Sequence, residues 1–296
     1  MKSLPVWLDL DQQGLDAAYD QARFAANQQQ LLARYASNSE LARERLGQPL
    51  RFAYGDSAIE ALDVYPAQRT DAPVCIFLHG GAWRSGLARN YAFLAELFVQ
   101  AGAHLVVPDF VSVLETGGDL MPMAVQVRRA IAWVHCHAGR FGGNASRITV
   151  CGHSSGAHLA AVALSTPWER QFGLPADILK GGLCCSGVYD LKPVGLSARS
   201  SYLRLTPEIE QALSPLRHLD AVTAPVIVAY GSLESPEFQR QSCDFSQALK
   251  AAGKPVQLLV AEAYNHFEIL ETLASPYGAL GRAALGLIRL GAPPTD

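Results

Sequence analysis

Charge is scarce in this sequence. Only 17% of its 296 residues are Asp, Glu, Lys or Arg, and 24 basic against 27 acidic side chains leave a net charge of −3. With neither sign in excess, broad electrostatic capture of nucleic acid is excluded, because that requires a clustered positive surface. No run of roughly 18 uninterrupted apolar residues occurs, so no membrane-spanning helix is expected. Asp9 and Asp11 arrive before any apolar leader core has formed, and no signal peptide is expected either. The six cysteines contain no C-x-x-C pair, which removes the usual signature of a structural zinc site or a thioredoxin-like motif. Cys75, Cys151, Cys184 and Cys185 lie in or at the ends of short apolar runs, where a free thiol behaves as a small hydrophobe. Internal repeats and low-complexity stretches are also lacking. The expectation is a cytoplasmic protein with reduced thiols.

What is abundant is apolar: hydrophobic residues make up 49% of the chain, enough for a large core and incompatible with disorder. Residues 9–46 carry helical spacing, read as one or two helices outside the main sheet. Leu50–Gly55 and Ile59–Tyr65 flank Gly55-Asp56-Ser57 as a hairpin. Near-continuous apolar runs follow at 74–78, 105–107, 148–151, 183–185, 226–229 and 256–260, the last interrupted by Gln257. Such runs suit strands covered on both faces. Helical stretches at about 89–101, 121–138, 155–165, 237–252 and 267–290 alternate with them. That alternation specifies an α/β protein with a mostly parallel sheet. Residues 187–222, with Pro193, Pro207 and Pro215, break the rhythm and read as a cap inserted between two core strands. The expected organisation is an N-terminal helical extension over 1–48 packed on one domain over 49–296.

The most informative segment runs from Arg147 through Gly152, His153, Ser154, Ser155 and Gly156 into a small-residue helix. A strand entering G-x-S-x-G and leaving as a helix is the context of a nucleophile elbow, which holds the central serine in a strained turn. A serine hydroxyl is a weak nucleophile near neutral pH and needs a base oriented by an acid. In chain order the acid precedes the base. His266, in Asn265-His266-Phe267 after the last strand, is the candidate base, with His218 as a rival in the cap. Glu234 follows the strand at 226–229 and is the candidate acid. Glu237 competes with it but fits the first turn of the next helix, and Asp244 lies a helix away. His79-Gly80-Gly81-Ala82-Trp83 follows the run at 74–78. A glycine pair there turns backbone N–H groups inward, making Gly81, Ala82 and Ser155 the expected oxyanion donors.

These residues together resemble the α/β-hydrolase superfamily, and within it the kynurenine formamidase (arylformamidase) and hormone-sensitive-lipase-like esterase group. The loop at 79–83 is similar to that group's H-G-G-x-W, and residues 152–159 to its G-H-S-A-G-x-H-L elbow. Ser186–Leu191, Leu233–Phe238 and Asn265–Phe267 carry the likeness further, from about residue 50 to 290. The resemblance implies an α/β-hydrolase fold, with a central sheet of about eight strands flanked by helices. It implies a serine hydrolase with a Ser154–Glu234–His266 triad and an acyl-enzyme mechanism, acting on a small N-formyl aryl amide or on a short-chain carboxylic ester. Three departures stand out: Ala82 where lipase-like esterases carry a third glycine, Ser155 where Ala is more usual, and Glu234 where many members use Asp. The first leans toward the formamidase-like branch.

Trp83 and Tyr189 follow strand ends and are expected to line the substrate pocket. Arg84, Arg89 and Arg199 are candidates for anchoring a substrate carboxylate, each with a solvated-surface alternative. His158, one turn past Ser154, reads as a structural histidine. His135-Cys136-His137 does not read as a metal cluster, since neighbours on a helix point apart. No cofactor or metal is expected. The expected partner is a small-molecule acyl substrate, without nucleic acid or membrane, and a homodimer is the candidate assembly. A non-catalytic ligand-binding α/β-hydrolase scaffold is the reading from another class.

Overall fold

A computed structural model describes residues 4–290, so the ends of the expected extension and domain, 1–3 and 291–296, lie outside the described residues. Eight strands form one sheet: β1 (Leu50–Ala53), β2 (Ala61–Tyr65), β3 (Ala72–Leu78), β4 (His104–Pro108), β5 (Gly143–His153), β6 (Leu179–Cys185), β7 (Val226–Gly231) and β8 (Val256–Ala261). Their order is β1-β2-β4-β3-β5-β6-β7-β8. β1 and β2 pair antiparallel, β2 pairs antiparallel with β4, and every later pairing is parallel. This is the α/β-hydrolase sheet, with the opening hairpin at one edge.

The apolar runs become strands because alternate side chains feed two different cores. Along β3, Val74, Ile76 and Leu78 enter one cluster, while Cys75 and Phe77 enter the other. The first cluster is closed by the helices Met121–His137, Ser155–Leu164 and Pro236–Ala251. The second is closed by Gln28–Leu46, Ala95–Gln100 and Ala279–Leu290. The helix at 28–46, expected outside the sheet, thus contributes Leu31, Tyr35 and Ala42 to one of its two layers.

Three elements differ from expectation. β8 is not covered on both faces: it pairs only with β7, and Leu258 and Val260 are partly exposed at that edge. The stretch at 267–290 is broken into Glu268–Glu271, a 3₁₀ turn and Ala279–Leu290; Pro276 and Gly278 interrupt it. Ala88–Leu94 is 3₁₀ before the α-helix begins. Residues 187–222 hold two short helices, Lys192–Leu196 and Pro207–Leu213, with 3₁₀ turns between and after them.

The strand-to-helix turn after β5 is packed at backbone distance. A Cβ on Gly152 would sit 2.2 Å from the Gly156 carbonyl oxygen, and one on Gly156 would sit 2.0 Å from that of Leu78. No side chain can occupy either position without moving the sheet or the helix. Gly286, in the last helix, meets nothing within 4 Å. Gly156→Ala should therefore destabilise the fold by about 1–3 kcal/mol or more, whereas Gly286→Ala should be neutral or stabilising by up to ~1 kcal/mol. Urea unfolding midpoints of the two variants check the contrast.

Candidate active site

Ser154 sits at φ 57°, ψ −124°, between the end of β5 and the helix Ser155–Leu164. That backbone region is costly for a residue with a Cβ and persists only where the surroundings enforce it. Here the Ser154 N–H donates to the Cys185 carbonyl at 2.9 Å, and its own carbonyl accepts from Ala157 and His158. Gly80 passes close by: a Cβ there would lie 3.1 Å from that of Ser154. The turn presents Oγ 2.9 Å from His266 Nε2.

The loops after β7 and β8 bring the remaining two groups. His266 Nδ1 lies 2.8 Å from Glu234 Oε2. The other carboxylate oxygen, Oε1, accepts from Ser186 Oγ at 2.6 Å and from the Gly231 N–H at 2.7 Å. With the carboxylate as an acceptor on Nδ1–H, Nε2 of the neutral imidazole is left to accept from the serine hydroxyl. Glu234 and His266 are buried, and Ser154 is only 9% exposed. The structure thus brings together the three residues that sequence spacing selected.

The loop after β3 turns through three successive positive φ angles: Gly81 at 124°, Ala82 at 54° and Trp83 at 61°. Among the described residues, the N–H groups of Gly81 and Ala82 donate to no backbone carbonyl. Ser155 is the first residue of its helix, and so has no acceptor within it. The three groups expected to face an oxyanion therefore have no backbone acceptor among the described residues, and that of Ser155 lies at the positive end of a helix dipole.

Trp83 and Tyr189 require correction. Neither lines the cavity over Ser154. Tyr189 is wholly buried, stacked on Phe245 at 4.2 Å, with its hydroxyl donating to the Cys184 carbonyl. Trp83 is turned inward by its left-handed backbone, and its Nε1–H donates to His158 Nδ1 at 3.1 Å. His158 in turn donates Nε2–H to the Leu213 carbonyl at 2.7 Å, a structural bridge from the elbow helix to the 187–222 segment. Glu237 does not reach His266; it accepts from Tyr19 and pairs with Arg240. Asp244 also pairs with Arg240, and His218 bonds the Gln211 carbonyl. His137 bonds the Trp133 carbonyl, and no group of three or more metal-ligating side chains gathers among the described residues. Arg84 and Arg199 line the cavity, while Arg89 does not.

Sequence reasoning missed three kinds of residue. Ser186, at φ 57° and immediately after β6, anchors the carboxylate; its signal was a hydroxyl at a strand end beside the nucleophile strand. His153 donates Nε2–H to the His266 carbonyl at 2.7 Å; it was visible only as a variable position of G-x-S-x-G. The N-terminal residues brace both loops. Gln21 donates to Ser235 Oγ, Tyr19 to Glu237 and Asn27 to Glu268, Asn27 also accepts from Asn265, and the Tyr35 hydroxyl donates to the Phe267 carbonyl. Nothing local in the first 35 residues signals such distant partners. A cavity of about 690 Å³ opens over Ser154, walled by residues of the loop after β3 and of the segments 16–35 and 198–202.

Comparison with known proteins extends this geometry. The BD-FAE family model matches residues 62–176. The chain is similar to the kynurenine formamidase of Danio rerio, 33% identical over 259 residues that cover 85% of this chain and 86% of that one. It is also similar to the esterase LipC of Mycobacterium tuberculosis, 28% identical over 69% of this chain and 55% of the relative. Among solved structures, an esterase of Pyrobaculum calidifontis superposes with a TM-score of 0.72 at 17% identity, covering 91% of this chain and 94% of that one. A likeness at that identity speaks for the fold alone.

Two outcomes follow from the site's hydrogen bonds and burial. Removing one of two donors to Glu234 Oε1 by Ser186→Ala should lower turnover about tenfold, as expected for loss of a charge-assisted hydrogen bond. Unchanged turnover would remove Ser186 from this role. The second concerns acid stability. Burial pushes the imidazoles of His153 and His158 down to about 3 and about 4, and the neighbouring His266 adds to the effect at His153. The unfolded chain takes up protons near pH 6.5 that the folded chain refuses. Stability should therefore hold above about pH 6.5 and fall below it, with these two imidazoles contributing about two protons to the slope near pH 5 and the lowered His79 and His104 adding in the same direction. Chemical denaturation across pH 7.5–4.5 measures that slope.

Proposed function

This chain belongs to the kynurenine formamidase and esterase group of the α/β-hydrolases, hydrolases of amide or ester bonds, and within it we propose a serine hydrolase that cleaves small N-formyl aryl amides. What supports the reading is the unbroken hydrogen-bond relay from Ser154 Oγ through His266 to Glu234 beneath an open cavity. In the proposed mechanism His266 Nε2 takes the hydroxyl proton as Oγ attacks the formyl carbon. Glu234 holds the ring orientation and stabilises the imidazolium as it forms. The oxyanion that develops meets the N–H groups of Gly81, Ala82 and Ser155; each such donor is worth roughly 2.7–4 kcal/mol in related chemistry. His266 then protonates the departing arylamine. Water, deprotonated by the same imidazole, releases formate from the acyl-enzyme and restores Ser154. Every step uses groups of this chain and water.

A short-chain carboxylic ester is the second substrate class, favoured by the esterase relatives. The same acyl-enzyme chemistry serves it, with an alkoxide or phenoxide replacing the amine as leaving group.

The reading is tested by labelling with an active-site serine phosphonate and by turnover of N-formylkynurenine beside p-nitrophenyl acetate. The wild type should take the label at Ser154, and Ser154→Ala should take none. Glu234→Gln should lower kcat by about 10³- to 10⁴-fold, and Glu237→Gln far less. Absence of label on the wild type would leave a ligand-binding scaffold instead. A larger loss at Glu237 than at Glu234 would displace the acid.

A further inference from the structure

The cavity over Ser154 contains a cation without a counterion. Arg199, half-buried in the 3₁₀ turn Ala198–Ser201, takes part in no ion pair among the described residues. Its Nη2 donates to the Tyr19 carbonyl at 2.9 Å and its Nη1 reaches the Tyr202 hydroxyl at 3.5 Å, both neutral acceptors. Nε is enclosed and has no acceptor among the described residues. The guanidinium carbon sits 5.7 Å from the ring centre of Tyr19, 5.6 Å from that of Trp83 and 5.9 Å from that of Phe238. Three aromatic rings fix its place and none neutralises it. A guanidinium keeps its charge in proteins and carries five N–H donors in a planar fork.

The acidic side chains on the same wall are otherwise engaged. Asp16 accepts from the Ala198 N–H and from Gln12. Asp20 caps the Ala22 N–H and pairs with Arg23. Two other arginines line the wall: Arg23 is exposed and pairs with Asp20, and Arg84 is exposed and lies over Tyr202 at 4.7 Å. Arg199 is also close to the chemistry. Phe238, one of its three rings, packs edge-on against His266 with centroids 5.1 Å apart, so a single ring separates guanidinium and catalytic imidazole.

We infer that Arg199 is the specificity-determining residue of this cavity and pairs with a carboxylate carried by the substrate, away from the scissile bond. The assignment rests on the hydrolase reading above and names the residue of this chain that selects among its substrates. A planar fork held by π faces is preorganised for such a group, because little side-chain freedom remains to be lost on binding.

The test compares kcat/KM for N-formylkynurenine and its carboxamide, isosteric but lacking the negative charge. The wild type should favour the carboxylate, and Arg199→Met should shrink that preference about 10- to 100-fold, the range of a charge-assisted pair. The loss should appear chiefly in KM, and Arg199→Lys should fall between. Arg84→Met should keep the wild-type preference. Competition by benzoate and benzamide against p-nitrophenyl acetate on the wild type gives a reading independent of how variants fold, with benzoate expected to bind more tightly. A preference that survives Arg199→Met, one that follows Arg84 instead, or a wild type indifferent to the carboxylate overturns the assignment. A wild type that turns over neither N-formyl compound nor the acetate overturns the hydrolase reading itself, a different failure.

Discussion

The backbone contact between Gly156 and the end of β3 is the constraint on which the rest of the site depends. Because the elbow helix touches Leu78 and His79 through main chain alone, the nucleophile turn and the loop at 79–83 are held against each other. The serine and the N–H groups opposite it come from segments about 75 residues apart in sequence, yet their spacing is set by atoms that have no rotamers. The left-handed backbones of Ser154, Ala82 and Trp83 follow from the same crowding: the chain has to turn where a β or α conformation would run into its neighbour.

On that frame the electrostatics are arranged by exclusion. The buried Glu234 carboxylate is acceptable there because one oxygen has two donors and the other faces His266. His153, its ring 4.8 Å from that of His266, is kept neutral by burial. It therefore donates to the loop carrying His266 as a neutral ring. Two imidazoles lie side by side on different partners, His153 on a backbone carbonyl and His266 between Glu234 and Ser154.

Much of this was legible in the sequence where signals are local. The apolar runs marked β3 to β7 because each feeds a core on both faces, and β8 was misjudged because an edge strand can carry the same residues as a central one. Ser154, Glu234 and His266 were legible through order: each follows a strand end, and the topology carries those ends to one side of the sheet. Trp83 and Tyr189 misled for the same reason, since a strand end says where a residue sits but not which way its side chain turns. At Trp83 the positive φ decides that direction, and at Tyr189 the ring stack on Phe245 does. Ser186 carried only the weak signal of a hydroxyl at a strand end, and the bracing residues Tyr19, Gln21 and Asn27 left no trace, because their roles rest on hydrogen bonds to residues far along the chain.

That bracing has a topological consequence. The bonds Gln21–Ser235, Tyr19–Glu237 and Asn27–Asn265 join residues separated by 214, 218 and 238 positions. The helix that follows them docks through much nearer contacts, Arg43 on the Arg89 carbonyl and Ser39 accepting from the Phe93 N–H. The two ends of the described chain therefore meet at the loops bearing Glu234 and His266, and the geometry of those loops rests on residues that none of the eight strands contains.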